Sequence, residues 1–338
     1  ERAVADLREA PPEARGAIHT RSEVAAFVLD LAGYTSSAPL TSRRLLEPSF
    51  GDGVFLFEAV DRLLVAWSCS AGEPVATLSP AIRAVEVHEI TFLRTRSRLR
   101  NRLASEGISF TDAEAILDEW LICDDFLLAP VEGTFDAVVG NPPYVRQESI
   151  APALVRQYRK DYASVYDRAD LYVPFIERGL ALLSHGGRLS YICADRWMKN
   201  NYGGPLRKMV AERYHLCHVV GMHGADAFEG EVDAYPSVFT VEKPPPDKRP
   251  RRPTAVTSDP ALDRASLVTL AGHLESRTPP EPVRLAQNVA SGDSPWVLGE
   301  SDATAVLRSL EARFPSLAEA GCRVGIGVAT GADRVFIA

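Results

Sequence analysis

The sequence predicts an α/β fold, a doubly wound and mostly parallel sheet with helices on both faces. Three observations carry that expectation. An apolar strand at residues 43–47 runs into the turn Pro48-Ser49-Phe50-Gly51-Asp52-Gly53 and then an apolar helix, the strand–loop–helix order of a nucleotide-binding sheet. Strand and helix patterns go on alternating to residue 242, as the crossovers of a parallel sheet require. Finally, the strand at 135–140 stops at Asn141-Pro142-Pro143-Tyr144. Two prolines cannot continue a ladder, so the chain leaves the sheet there with Asn141 held at the carboxyl edge, where open α/β sheets bind ligands.

Residues 1–15 are charged and proline-bearing, a loose start. A helix follows over 25–31, with Ser22 its expected N-cap and Gly33 its stop. In the turn after the first strand, Gly51 and Gly53 let backbone approach a ligand where a Cβ would collide. Its spacing is not GxGxxG and no lysine follows, so the turn suits a nucleoside without pyrophosphate. After a helix at 54–66 and a small, polar stretch at 68–80 comes the strand 82–87. Glu86, near its end, can accept both hydroxyls of a ribose. Arg94, Arg96, Arg98, Arg100 and Arg102 mark the next helix and read as a solvated face. The strand 120–123 ends in Asp124-Asp125-Phe126, an acid and an aromatic able to bond an adenine edge and cover its face. Asp125 is preferred over Asp124 because it directly precedes Phe126.

Beyond Tyr144, residues 145–169 interleave Arg146, Arg156, Arg159 and Lys160 with Tyr158, Tyr162 and Tyr166, a mixture suited to phosphate contact and base stacking. Asp170-Leu171-Tyr172 opens a helix to residue 183, and His185-Gly186-Gly187 turns into the strand 188–194. A strand at 217–221, a loop at 225–231 containing Phe228, and a strand at 235–242 follow. His215, Cys217, His218 and His223 do not read as a metal site: alternate strand residues face opposite ways, and no outer ligand pair has metal spacing. The proline-rich basic run 244–253 reads as a stiff linker and domain boundary. Past it lie weak periodicity, a helix near 301–314, and a new strand pattern at 324–336. The expected organisation is a catalytic domain at 1–243, a linker at 244–260 and an incomplete second domain at 261–338.

Composition narrows the function classes. The 338 residues suffice for one α/β domain of roughly 240 residues and part of a second. A net charge of −8 gives no overall basic footprint, so any nucleic-acid contact must come from local patches. The five cysteines are scattered without a CxxC pair, which fits reduced cytosolic thiols rather than a disulfide framework or zinc site. With no signal peptide and no apolar run of about 18 residues, the chain is expected to be neither secreted nor membrane-spanning.

The stop at Asn141 suits methylation of an exocyclic amine. Such a nitrogen is a poor nucleophile because its lone pair is delocalised into the ring. The Asn141 side-chain oxygen and the Pro142 carbonyl can take its two N–H groups, and Tyr144 offers a flat face for the base.

On these residues the chain resembles the gamma-class, TaqI-like adenine-N6 DNA methyltransferases, especially the type IIG restriction-modification and BREX-like methylases. The resemblance covers residues 16–243 and includes the order of the motifs, the Asp125-Phe126 pair before Asn141, and the Asp170-Leu171-Tyr172 and Gly186-Gly187 features after it. It implies a Rossmann-like S-adenosylmethionine-dependent methyltransferase fold with a mostly parallel seven-stranded sheet. It also implies the start of a target-recognition domain at the closing GIGVATGADRVF. Carried over by position, Thr20 touches the methionine carboxylate, and Glu47, Pro48, Gly51 and Gly53 form the methionine-side loop. Glu86 takes the ribose, and Asp125 and Phe126 take the cofactor adenine. Asn141, Pro142, Pro143 and Tyr144 are catalytic, Asn141 also lying against the cofactor, and Phe228 packs on the flipped base. The family usually has proline after the threonine, where this chain has Arg21.

The implied partners are double-stranded DNA and other restriction or defence subunits, in a prokaryotic cytosol, with no membrane and no metal needed for methyl transfer. A protein (glutamine) or RNA N-methyltransferase of the same fold is the alternative, because such enzymes share the Asn-Pro-Pro-Tyr stop. A nuclease within this segment is not expected, since about 40 residues precede the glycine turn and no convincing PD…(D/E)xK run is found; a longer native chain could carry one. Nor is a catalytically dead recognition module, given intact Asn141, Pro142 and Tyr144.

Overall fold

The computed structural model describes residues 2–9, 11, 16, 18–69, 72–230, 235–246, 252–296 and 298, with scattered positions between 306 and 323. In chain order the elements are α1 (Arg2–Arg8), α2 (Ser22–Leu31), β1 (Leu45–Glu47), α3 (Val54–Ser68), α4 (Pro74–Leu78), β2 (Ile82–Val85), α5 (Glu89–Ser105) and α6 (Phe110–Trp120). Then come β3 (Leu121–Ile122), β4 (Phe135–Gly140), α7 (Pro152–Asp161), α8 (Tyr172–Ala181), β5 (Leu183–Ala194), α9 (Arg196–Lys199) and α10 (Gly204–Arg213). The last are β6 (His215–Gly221), β7 (Pro236–Glu242), β8 (Thr254–Ser258), α11 (Arg264–Leu274) and β9 (Arg284–Ala286).

The strands form one sheet in the order β3-β2-β1-β4-β5-β7-β6-β8-β9. From β3 to β5 every neighbour is parallel, while β7 lies antiparallel between β5 and β6. The first seven strands of that order are the sheet the sequence anticipates; β8, parallel to β6, and β9, antiparallel to β8, extend it. The strand order reverses between β1 and β4, whose carboxyl ends carry Glu47 and Asn141. Such a switch point opens a crevice in any doubly wound sheet.

Two apolar layers cover the sheet. Val24, Phe27, Leu56, Leu63, Ile116 and Leu267, from α2, α3, α6 and α11, bury against one face. Tyr172, Ile176, Leu206 and Val210, from α8 and α10, bury against the other with Trp197. Each such side chain contributes roughly 1.5–3 kcal/mol relative to exposure. Arg62 on α3 ties the first layer to α2, its Nη1 donating to Asp30 Oδ1 at 2.7 Å and to the Tyr34 carbonyl at 2.8 Å.

The structure departs from expectation at several places. Arg21, not Ser22, caps α2, and it does so without a side-chain bond, while Gly33 ends that helix with φ 74°. Trp120 closes α6 rather than opening β3, because its indole Nε1 is drawn to the Leu78 carbonyl at 2.8 Å. The arginines of α5 are not a free solvated face. Arg96 pairs with Glu114 and Asp118, Arg100 with Glu114, and Arg102 with Asp61 and Glu106. Their acids come largely from α6 and α3, which sequence spacing does not reveal.

The boundary expected at 244–260 also moves. Thr254–Ser258 pairs with β6, and α11 packs on α2, so one compact unit runs to Leu298. Residues 247–251 of the basic run lie outside the described residues, as does the closing stretch 324–338 and most of the helix expected at 301–314. Gly299–Ala338 forms a second unit. Among the described residues, no helix is long and apolar enough to cross a membrane.

Candidate active site

The turn after β1 is held from three sides. The Phe50 N–H donates to the Val85 carbonyl at 3.0 Å, and the Gly53 N–H closes back on the Phe50 carbonyl at 2.7 Å. From α5, Thr95 Oγ1 donates to the Gly51 carbonyl at 3.0 Å and Arg98 to the Asp52 carbonyl at 2.9 Å, while Arg94 pairs with the Asp52 carboxylate. Gly51 and Gly53 have φ of 51° and 86°, the left-handed region that glycine enters without penalty. A Cβ on Gly51 would meet nothing within 4 Å, so this bend faces open space.

Glu86, just past β2, completes the turn. Its Oε2 accepts the Gly51 N–H at 2.9 Å and its Oε1 the His88 N–H at 2.8 Å. Each carboxylate oxygen thus accepts a backbone N–H at the mouth of the turn. Glu47, at the end of β1, is fully buried and neither of its oxygens has a hydrogen-bond partner. Burial first, and then the nearby Glu86 charge, push its carboxyl well above the ordinary range.

Past β3, Leu127 N–H donates to Asp125 Oδ1 at 3.0 Å and the Tyr158 hydroxyl to Asp125 Oδ2 at 2.5 Å. Burial raises the Asp125 carboxyl above its usual value against the pull of these two bonds. The Phe126 ring lies 5.0 Å from that of Phe175, with the Arg178 guanidinium 4.9 Å over its face. Tyr158, 2% exposed, thus does not offer a stacking face to a nucleic acid, and the Tyr162 hydroxyl donates to the Leu127 carbonyl at 2.6 Å. Both serve the Asp125-Phe126 turn.

At the end of β4, Asn141 Nδ2 donates to the Ile18 carbonyl at 3.3 Å and to Thr20 Oγ1 at 3.2 Å, while its Oδ1 is buried without a partner. The segment before α2 pairs with the loop before β7. Thr20 bridges Phe228, the Arg21 N–H reaches the Ala227 carbonyl at 3.1 Å, and the Glu229 N–H reaches the His19 carbonyl at 2.9 Å. That pairing sets the Phe228 ring edge-on to Tyr144, centroids 6.5 Å apart at 88°. Tyr172 flanks Tyr144 on another side at 6.2 Å.

A cavity of about 510 Å³ opens over this edge, lined by Thr20, Pro48, Gly51, Glu86, Asp125, Phe126, Asn141 and Pro143 among others. Glu47, Gly53, Pro142, Tyr144 and Phe228 adjoin it without lining it. The volume is that of a small-molecule or cofactor site. Its lining brings together the glycine turn, the Glu86 acceptor and the Asp125–Phe126 acid–aromatic pair. The orphaned Asn141 Oδ1 and the open Gly51 bend are what a nucleoside-bearing ligand would fill. Sequence reading missed Tyr158 as a site residue, along with Leu7 of α1 and Arg98, which also line the cavity. Only their later contacts mark them out. Among the described residues, no group of three or more His, Cys, Asp or Glu side chains is placed to hold a metal.

The sheet order and this crevice define a class I S-adenosylmethionine-dependent methyltransferase fold. A putative methyltransferase of that class from Listeria monocytogenes matches with a TM-score of 0.54 and 14% identity, over 81% of this chain and 75% of that one. A nuclease-deletion mutant of the Type ISP restriction-modification enzyme LlaGI, solved with a DNA substrate mimic, matches with a TM-score of 0.64 and 14% identity, over 94% and 34%. The family model described as Eco57I restriction-modification methylase matches residues 83–228 of this chain. The Type II methyltransferase M.PaeR7I of Pseudomonas aeruginosa is 53% identical over 330 residues, 96% of this chain and 57% of that relative. The chain thus spans under three-fifths of that protein's length.

Proposed function

We propose that this chain is the catalytic part of a site-specific DNA adenine-N6 methyltransferase of a restriction-modification or phage-defence system, acting in the prokaryotic cytosol. The observation that carries the reading is the Asn141 side chain. Its amide nitrogen is tethered by Ile18 and Thr20, so its oxygen is left buried, fixed and without a partner at the cavity. An acceptor held that way costs nothing to reorganise when an amine arrives. The 53% identity to a Type II methyltransferase supports the substrate class.

S-adenosylmethionine, when bound, supplies the electrophilic methyl group. In this reading the Glu47–Gly53 turn and Thr20 hold its amino-acid end, Glu86 its ribose, and Asp125 with Phe126 its adenine. Asn141 Oδ1 and the Pro142 carbonyl accept the two N–H groups of the target amine, which localises its lone pair. Tyr144 and Phe228 are the aromatic surfaces for the extruded base, once their edge-on contact opens. The closing GIGVATGADRVF is read as the opening of a target-recognition domain, and other restriction or defence subunits as partners.

The reading is tested by incubating the chain with methyl-labelled S-adenosylmethionine and, separately, duplex DNA, structured RNA and a glutamine-bearing protein. Label in duplex DNA alone is expected. Label in RNA or protein instead would move the assignment to an amide or RNA N-methyltransferase of the same fold.

A further inference from the structure

Tyr158 is used by none of the steps above, yet its hydroxyl is hydrogen-bonded to one of their residues, Asp125. The geometry points to Tyr158 as a positioning residue for the cofactor's adenine, acting through Asp125. This inference rests on the S-adenosylmethionine reading and assigns it a further residue. Tyr158 and Asp125 are 2% and 5% exposed, both line the cavity, and their oxygens are 2.5 Å apart.

The hydroxyl on Oδ2 and the Leu127 N–H on Oδ1 fix the plane of the carboxylate. Each oxygen keeps a further lone pair, and with the plane fixed those pairs have one direction. An exocyclic amine is the part of an adenine that can donate to them. Burial keeps the Tyr158 phenol far above its ordinary pKa, so it remains a donor. It also opposes protonation of Asp125, which burial favours and which would remove an acceptor. Around that carboxyl, Asp124 acts in the same direction as burial, and Arg178 against it. Arg8 of α1 lies 3.7 Å from Asp124, and Tyr162 anchors the next residues of the turn. The helix that follows the Asn-Pro-Pro-Tyr stop is thereby the clamp on the far end of the cofactor site.

The test compares S-adenosylhomocysteine with S-inosylhomocysteine, in which an oxo group replaces the exocyclic amine, by calorimetric titration of the full chain. Wild type is expected to prefer the adenosyl compound. Tyr158→Phe is expected to weaken that compound about tenfold, the scale of one hydrogen bond to a charged group, and to leave the inosyl compound unchanged. Tyr158→Met, which keeps an apolar filling without a donor, is a second variant should Phe not fold, and should show the same loss of discrimination. Added to Asp125→Asn, the Tyr158 change should cost nothing more. Equal weakening of both compounds, or no change in either, overturns the positioning role. Wild type that binds neither compound overturns the cofactor reading beneath it, a result visible before any variant is made.

Discussion

Single side chains in this protein are set by the balance between burial and partners. Glu47 shows it most sharply. Its carboxyl is fully buried without a hydrogen bond, so the folded state holds a proton that the unfolded chain releases above about 4.5. The folded form then binds more protons over the interval above that value, and stability falls as pH rises through it. Glu47→Gln, which keeps the shape and cannot ionise, should raise the melting temperature more at about pH 8 than at about pH 5. An equal gain at both would mean that Glu47 titrates normally. Glu86 has the opposite character, with both oxygens accepting backbone N–H groups. Glu86→Ala should free the Gly51 turn and weaken S-adenosylmethionine binding about tenfold or more, read by titration. Unaltered affinity would remove it from the ribose role.

At the scale of elements, the glycine turn depends on backbone conformations that only glycine adopts cheaply. A Cβ on Gly53 would stand 3.0 Å from Phe57 and Thr95 side-chain atoms, at φ 86°. Gly53→Ala should therefore cost about 1–3 kcal/mol of stability, measured by denaturant unfolding. How far such elements can be read from sequence depends on what ends them. The strand Phe135–Gly140 is found at its expected limits because an apolar run meets two prolines. Thr254–Ser258 is short, half polar and preceded by proline and arginine, so nothing local announces a strand; only the edge of β6 makes it one. The α5 arginines look solvated until α6 supplies their acids. The candidate site divides the same way. Gly51, Glu86, Asp125 and Asn141 stand at strand ends, where sequence position predicts geometry, whereas Tyr158 reaches Asp125 across 33 residues.

Across the whole molecule, the extension past Glu242 belongs to the catalytic unit. Leu267, Leu270 and Leu274 of α11 are buried in the first apolar layer, and β8 pairs the outer side of β6. On the other face, the Trp296 N–H reaches the Met198 carbonyl at 2.8 Å, and its ring meets Trp197 edge-on at 5.3 Å. Truncation after residue 243 should expose that core and an unpaired strand edge, giving an aggregating product. Truncation after residue 298 should melt cooperatively. Identical behaviour of the two would restore the basic run as a domain boundary.

All of these scales meet at Asn141, whose freed oxygen is the centre of the account. The measurement that tests it most directly is nucleoside mass spectrometry of DNA incubated with the protein and S-adenosylmethionine, beside an Asn141→Ala control. N6-methyladenine is expected with wild type, with a loss of at least ~100-fold in the control and S-adenosylmethionine affinity nearly unchanged. A wild type that binds S-adenosylmethionine and leaves DNA unmethylated, or a control that methylates as fast as wild type, would contradict that expectation.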